Sequence, residues 1–362
     1  MTTRMQHTMH AAMRLMRDGN LAAATRALQQ GLAARDSGAT FDESSSIAPK
    51  DIEGRYHVVA EPPDEPFATV PQPARATCQA TFVDARFTCE SGSLAYKLFV
   101  PEGLAPEVRP PLLLMLHGCT QTPDDVARGT RMNEIAQEHG YVVAYPAQAK
   151  GSNASRCWNW FRAQDQQRDR GEGALLAALA RHLVAVHRLD AERVFAAGLS
   201  AGGAMAAVLA HTHPEVFAAV GVHSGLPYGS AHDLPSALTA MKAGGSGHSG
   251  RIAASRAIVF HGDADGTVNV RNGDGLAAQF ACAREDLRLS VERETTTRGR
   301  AFTRRVYHDA SGHAALEHWT IHGAGHAWSG GAAGGSYTDP AGPDASLAMI
   351  RFFSASANAA VS

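Results

Sequence analysis

The chain has 362 residues, 44% of them hydrophobic, with a formal net charge of −2 and a pI near 6.8, which suits one large buried core plus a small appendage. Lys and Arg are dispersed, and the four arginines between Arg298 and Arg305 read as a solvated loop, so no nucleic-acid partner is expected. No run of residues is apolar for long enough to span a bilayer, which argues against a membrane partner.

Residues 1–34 read as two short helices broken at Asp18-Gly19-Asn20, with Leu15, Met16, Leu21, Ala24 and Leu28 on the buried side. Arg14, Arg17, Asp18 and Arg26 interrupt any apolar core, so no secretory signal is read and a cytoplasmic location is expected. Residues 35–77 shift to Ser, Asp, Glu and Pro, with six of the 17 prolines between Pro49 and Pro73, which predicts an extended linker. A catalytic domain is expected over residues 78–358.

That domain opens with hairpin-like runs at 80–84 and 94–100. Apolar runs at 111–117, 141–145, 194–199, 218–222, 258–260 and 319–321 then alternate with helical stretches. Continuous apolar strands are covered on both faces, so the pattern predicts an α/β fold with a mostly parallel sheet of about eight strands. The helix over 173–187 is apolar all round and reads as a packed connector.

The most telling segment is Arg193-Val-Phe-Ala-Ala-Gly-Leu-Ser-Ala-Gly-Gly203, a strand running through Gly-x-Ser-x-Gly into a helix that extends to about His211. A serine on such a turn is held in strained backbone geometry, with glycines keeping Cβ atoms out of its flanks, so Ser200 is the expected nucleophile. The helix that follows aims its free N-terminal amides at the place where an oxyanion forms, and Ala201 N–H is the first candidate donor. After the strand at 111–117, His117-Gly-Cys-Thr-Gln121 occupies the turn that supplies a second donor in such enzymes, and Cys119 N–H is the candidate. The thiol of Cys119 has no local base and is not expected to be the nucleophile.

A serine needs a base and an acid. Ala257-Ile-Val-Phe-His-Gly-Asp-Ala-Asp-Gly-Thr-Val268 ends an apolar strand in a polar turn carrying two aspartates. Asp265 is preferred as the triad acid, and Asp263 is the alternative, with a turn-capping role open to it. The base is expected at His326, in the glycine-rich loop of Leu316-Glu-His-Trp-Thr-Ile-His-Gly-Ala-Gly-His-Ala-Trp328, while His318 and His322 fall inside the apparent strand. The order Ser, Asp, His is that of the α/β-hydrolase fold. Residues 228–251 have a low-order composition and are a lid candidate or a surface loop. No cofactor or metal site is expected: the regularly spaced His308, His313, His318, His322 and His326 straddle a strand, where alternate faces separate them. Five cysteines allow Cys119 with Cys157, or Cys78 with Cys89, to pair in an oxidising compartment.

Taken together, LHGCTQ, ARGTRMNEIAQEHGYVVAYPAQ, CWNWF, GLSAGGAMA, VFHGDADGTV and GAGHAWSGG resemble the short-chain-length polyhydroxyalkanoate depolymerase family of α/β-hydrolase esterases, over roughly residues 80–355. Feruloyl and acetyl-xylan esterases are similar more loosely. The resemblance implies a Ser200, Asp265 and His326 triad, an oxyanion amide at Cys119, and Trp158 beside the substrate cleft, with His117 a second substrate-contact candidate. Core packing is the alternative reading of Trp158, Trp160 and Phe161, and for Trp160 the two readings fit equally well. The implied activity is hydrolysis of short-chain esters, of 3-hydroxybutyrate polymer or oligomers above all, with secretion still open. A feruloyl or acetyl-xylan esterase is the near alternative, a peptidase or acyltransferase using the same triad is further off, and a non-catalytic granule- or partner-binding protein is the remote one.

Overall fold

The computed structural model describes residues 80–245, 247 and 255–355. The expected N-terminal helices and linker, residues 1–34 and 35–77, lie outside the described residues. A ten-stranded sheet organises the rest, in the order β1-β2-β4-β3-β5-β6-β7-β10-β9-β8. Its strands are β1 (Thr81–Cys89), β2 (Gly92–Val100), β3 (Leu112–Leu116), β4 (Val142–Ala147), β5 (Val194–Leu199), β6 (Ala219–His223), β7 (Arg256–Gly262), β8 (Arg288–Thr295), β9 (Ala301–His308) and β10 (Ala314–Ile321). The six central strands, β4 to β10 in that order, pair in parallel, and antiparallel strands close both edges.

Strands β3 and β5 carry no polar side chain because both faces of the sheet are covered there. Along Leu112–Leu116 alternate side chains enter different cores: Leu112, Leu114 and Leu116 join one, Leu113 and Met115 the other. The first core packs under helices α3 (Gly171–His187) and α4 (Ala201–Thr212); the second packs under α1 (Pro123–Thr130), α2 (Met132–His139) and α7 (Ala345–Ser354). Each fully buried leucine there contributes roughly 1.5–3 kcal/mol of transfer free energy.

The sheet has ten strands, and of the four arginines expected on a solvated loop Arg304 and Arg305 instead lie on a strand, β9, hydrogen-bonded between β8 and β10, while Arg298 and Arg300 lie in the turn before it. Arg304 explains why: it pairs with Glu292 on β8 at 2.8 Å and Glu317 on β10 at 2.7 Å, so a charge that reads as solvated is a cross-strand tie. Part of the low-order stretch at 228–251 is also ordered, as helix α5 (Leu234–Ala243). It starts at a reciprocal Asp233/Ser236 capping box and is pinned to α6 (Arg271–Ala281) by Asn272, whose amide donates to Ala240 O at 2.9 Å. Residues 246 and 248–251 of the lid candidate lie outside the described residues.

Candidate active site

Register explains the convergence. Leu116 on β3 is opposite Gly198 on β5, Leu199 is opposite His223 on β6, and Ile321 on β10 is opposite Gly262 on β7. The turns that leave β3, β5, β7 and β10 therefore emerge side by side at the carboxyl edge of the parallel sheet, where such folds build their sites.

Ser200 sits between β5 and α4 with φ 58° and ψ −118°, outside the regions an L-residue ordinarily occupies. Strain of this kind costs of order 1–3 kcal/mol and persists only where neighbours enforce it. Here the neighbours are backbone: the Ser200 amide donates to His223 O at 2.9 Å. A Cβ on Gly198 would lie 2.5 Å from the Gly202 carbonyl carbon and 2.6 Å from Leu116 O, so only glycine lets β3, β5 and α4 approach this closely. Ser200 is 9% exposed, and its hydroxyl makes no hydrogen bond among the described residues; contacts of this kind often tighten only when substrate binds.

The two aspartates of the β7 turn separate cleanly. Asp265 Oδ2 meets His326 Nδ1 at 2.7 Å, while Oδ1 accepts the amides of Thr267 and Val268, each at 2.8 Å. Burial opposes its ionisation, but His326, the Val268 amide and His261 outweigh it and hold the carboxyl below the usual carboxylate range. Asp263 instead meets His322 Nδ1 at 2.8 Å and accepts Gly323 N–H at 2.6 Å, and the other His322 nitrogen meets Thr303 Oγ1 at 2.9 Å. The loop after β10 is thus clamped by two His–Asp pairs four residues apart. His318, by contrast, is buried within β10 and pushed down to about 4 by burial.

The turn 117–121 lies over Ser200: a Cβ on Gly118 would be 3.7 Å from Ser200 Cβ. Gly118 N–H donates to Gln121 Oε1 at 2.8 Å, Thr120 N–H donates to Ser155 O at 2.7 Å, and Cys119 is disulfide-bonded to Cys157. The Cys119 and Ala201 amides, the two candidate oxyanion donors, make no hydrogen bond to a described residue. With its sulfur in a disulfide, Cys119 has no thiol to act as a nucleophile. Cys89 is a free thiol, and Cys78 lies outside the described residues.

His117 and Trp158 do not face solvent: each is 1% exposed, and their rings tilt together at 5.6 Å. His117 Nδ1 donates to Gly118 O at 2.8 Å and Nε2 accepts Gln148 N–H at 3.1 Å, which leaves the ring neutral, and burial pushes it down to about 4. Both side chains are thus buried in this structure, with no face open to solvent. Trp160 is buried in the same core. The loop 148–159 that carries Trp158 is gathered on Glu172, whose oxygens accept Asn159 N–H at 2.6 Å and Gln148 Nε2 at 2.5 Å.

His223 was not singled out in the sequence, and it is central. It lies at the end of β6, its carbonyl holds Ser200, and its Nε2 accepts Ser329 N–H at 3.0 Å from the loop beyond His326. Burial drives it down to about 3, so it is a neutral structural link between the segments that carry Ser200 and His326. Its only sequence signal is its place at the end of the strand before the one that leads to Asp265.

The family model described as esterase PHB depolymerase matches residues 94–301. Poly(3-hydroxyalkanoate) depolymerase C of Paucimonas lemoignei is 32% identical over 255 residues, covering 67% of this chain and 60% of that protein. Feruloyl esterase B of Neurospora crassa is 30% identical over 242 residues, covering 59% of this chain and 77% of that protein. Among solved structures, an acetyl xylan esterase from Aspergillus awamori matches with a TM-score of 0.57 at 19% identity, over 75% of this chain and 99% of that one, a likeness of fold. The chain thus spans about three fifths of the length of the Paucimonas protein.

Proposed function

From the premise that this chain belongs to the esterase PHB depolymerase family, we propose that it is a serine carboxylic ester hydrolase acting on short-chain esters, with 3-hydroxybutyrate polymer or oligomers as its substrate class. The observation that carries this reading is the 2.7 Å Asp265–His326 pair beside a strained Ser200 at a helix N-terminus. His326 Nε2 takes the Ser200 proton as Oγ attacks the ester carbonyl, and Asp265, accepting from Nδ1–H, holds the productive tautomer and stabilises the imidazolium. The tetrahedral oxygen receives the amides of Cys119 and Ala201, each such donor being worth roughly 3 kcal/mol of barrier. Collapse expels the alcohol, protonated by His326, and leaves an acyl-serine. Water, deprotonated by the same imidazole, then releases the acid and restores Ser200.

Similarity to a poly(3-hydroxyalkanoate) depolymerase supports the hydroxyalkanoate substrate. Similarity to a feruloyl esterase keeps an aromatic cell-wall ester as the second reading. The test is initial rates on p-nitrophenyl esters from acetate to palmitate, on methyl ferulate and on a 3-hydroxybutyrate oligomer, for wild type and Ser200→Ala. Short-chain and oligomer hydrolysis lost in the variant supports the proposal. Preference for ferulate favours the second reading, and activity that survives Ser200→Ala sinks both.

A further inference from the structure

Tyr337 stands at the mouth of this site with no part in the chemistry above. The segment leaving His326 forms a two-residue strand, β11 (Trp328–Ser329), that pairs in parallel with β12 (Thr338–Asp339), and Trp328 N–H donates to Tyr337 O at 2.6 Å. This return brings the Tyr337 ring edge-on to His326, with centroids 6.3 Å apart at 79°. Its hydroxyl is 3.5 Å from Thr120 Oγ1, one residue beyond the Cys119 amide. The aromatic ring therefore spans from the base to the oxyanion turn.

Its position is enforced and not relaxed. Tyr337 has φ 53°, an unfavourable region for a bulky side chain. Ser336 before it is tied to Asp125 by its amide at 2.9 Å and by its hydroxyl, and Gln121 Nε2, from the oxyanion turn, donates to Ser336 O at 3.2 Å. Such anchoring ordinarily serves burial, yet Tyr337 is 46% exposed. A strained, braced aromatic with an exposed face and a weakly engaged hydroxyl, set between base and oxyanion donors, has the features of a ligand-contacting residue.

We propose that Tyr337 is the specificity-determining residue of this site: its ring lies against the acyl chain of the bound ester, and its hydroxyl hydrogen-bonds an oxygen borne on that chain, as a hydroxyacyl oligomer provides. The inference rests on the ester hydrolase reading above. Its test compares wild type, Tyr337→Phe and Tyr337→Ala on p-nitrophenyl butyrate and p-nitrophenyl 3-hydroxybutyrate, with thermal melts to verify folding. In Tyr337→Phe the preference for the hydroxyacyl ester over butyrate, as a ratio of kcat/KM, falls about fivefold through KM, the loss expected for one hydrogen bond. In Tyr337→Ala KM rises about tenfold on both esters while kcat stays within about threefold. An unchanged ratio in the folded Phe variant overturns the hydroxyl's role. A fall in kcat with KM unchanged in the Ala variant overturns substrate contact in favour of mere support of His326. Wild type inactive on both esters is a different result, and it removes the hydrolase reading and this inference together.

Discussion

At the residue scale the decisive discrimination is between two aspartates two positions apart. Both lie in one turn and both hold a histidine, but Asp265 is sealed from solvent against His326, whereas Asp263 and His322 are roughly two-fifths exposed. Asp265→Asn keeps the shape and removes the charge that fixes the tautomer, so kcat on a short ester is expected to fall by about 10³–10⁴. Asp263→Asn only loosens the loop and is expected to cost less than about tenfold. Equal losses in steady-state kinetics of the two variants would mean that the acid has been assigned wrongly. Gly198→Ala makes the complementary case for stability. Its Cβ meets backbone atoms, not flexible side-chain ends, so urea denaturation is expected to show a loss above about 3 kcal/mol. A change below about 1 kcal/mol would remove the packing argument for the nucleophile turn.

At the element scale the turn 117–121, which carries the candidate oxyanion donor Cys119, is held by a cross-link to the loop 148–159. The Cys119–Cys157 disulfide joins positions 38 residues apart, and closing a loop of that length stabilises by up to about 4 kcal/mol on the chain-entropy model. Cys157→Ser, compared with wild type before and after reduction, is expected to lower both Tm and kcat while leaving KM within a few-fold, because the amide that it displaces binds the transition state more than the ground state. Unchanged kcat in a folded variant would show that the turn keeps its shape without the cross-link. Elements of this kind were unevenly legible. The six central strands were readable because burial on both faces gives most of their length an apolar run. Edge strands β8 and β9 were not, since their charges find partners, Glu292 and Glu317, only after the sheet has formed. Helix α5 hid behind the glycines that follow it, although Asp233-Leu-Pro-Ser236 carried its capping signal. The triad and oxyanion candidates were legible through glycine spacing and chain order. His223, His322 and Tyr337 were not, because their roles depend on cross-strand and loop-to-loop contacts that have no local pattern.

For the molecule as a whole, acid is the condition that tests how the carboxyl edge is built. His117, His223 and His318 are buried neutral and pushed down to about 4, 3 and 4, and burial lowers His261 as well. A histidine whose folded pKa is depressed contributes stability above its unfolded value of about 6.5, and that contribution drains away as pH falls toward the folded value. At about 1.4 kcal/mol per pH unit, His117 and His318 each have about 3 kcal/mol to lose and His223 about 5 kcal/mol. Glu172 and Asp165, raised by burial, act in the opposite sense and only in the carboxylate range. Urea midpoints should therefore drop by several kcal/mol in equivalent stability between pH 7.5 and pH 5, before most carboxylates titrate. A flat profile over that window would contradict the buried neutral network.

The central claim is that Ser200 is a nucleophile activated by His326. Its most direct test is labelling with a p-nitrophenyl phosphate triester, which phosphorylates only activated serines, followed by peptide mass mapping of wild type and His326→Ala. The account predicts one phosphoryl group per chain on the peptide containing Ser200, and none at a comparable rate without His326. A label on another residue, or equal labelling in both proteins, would contradict it.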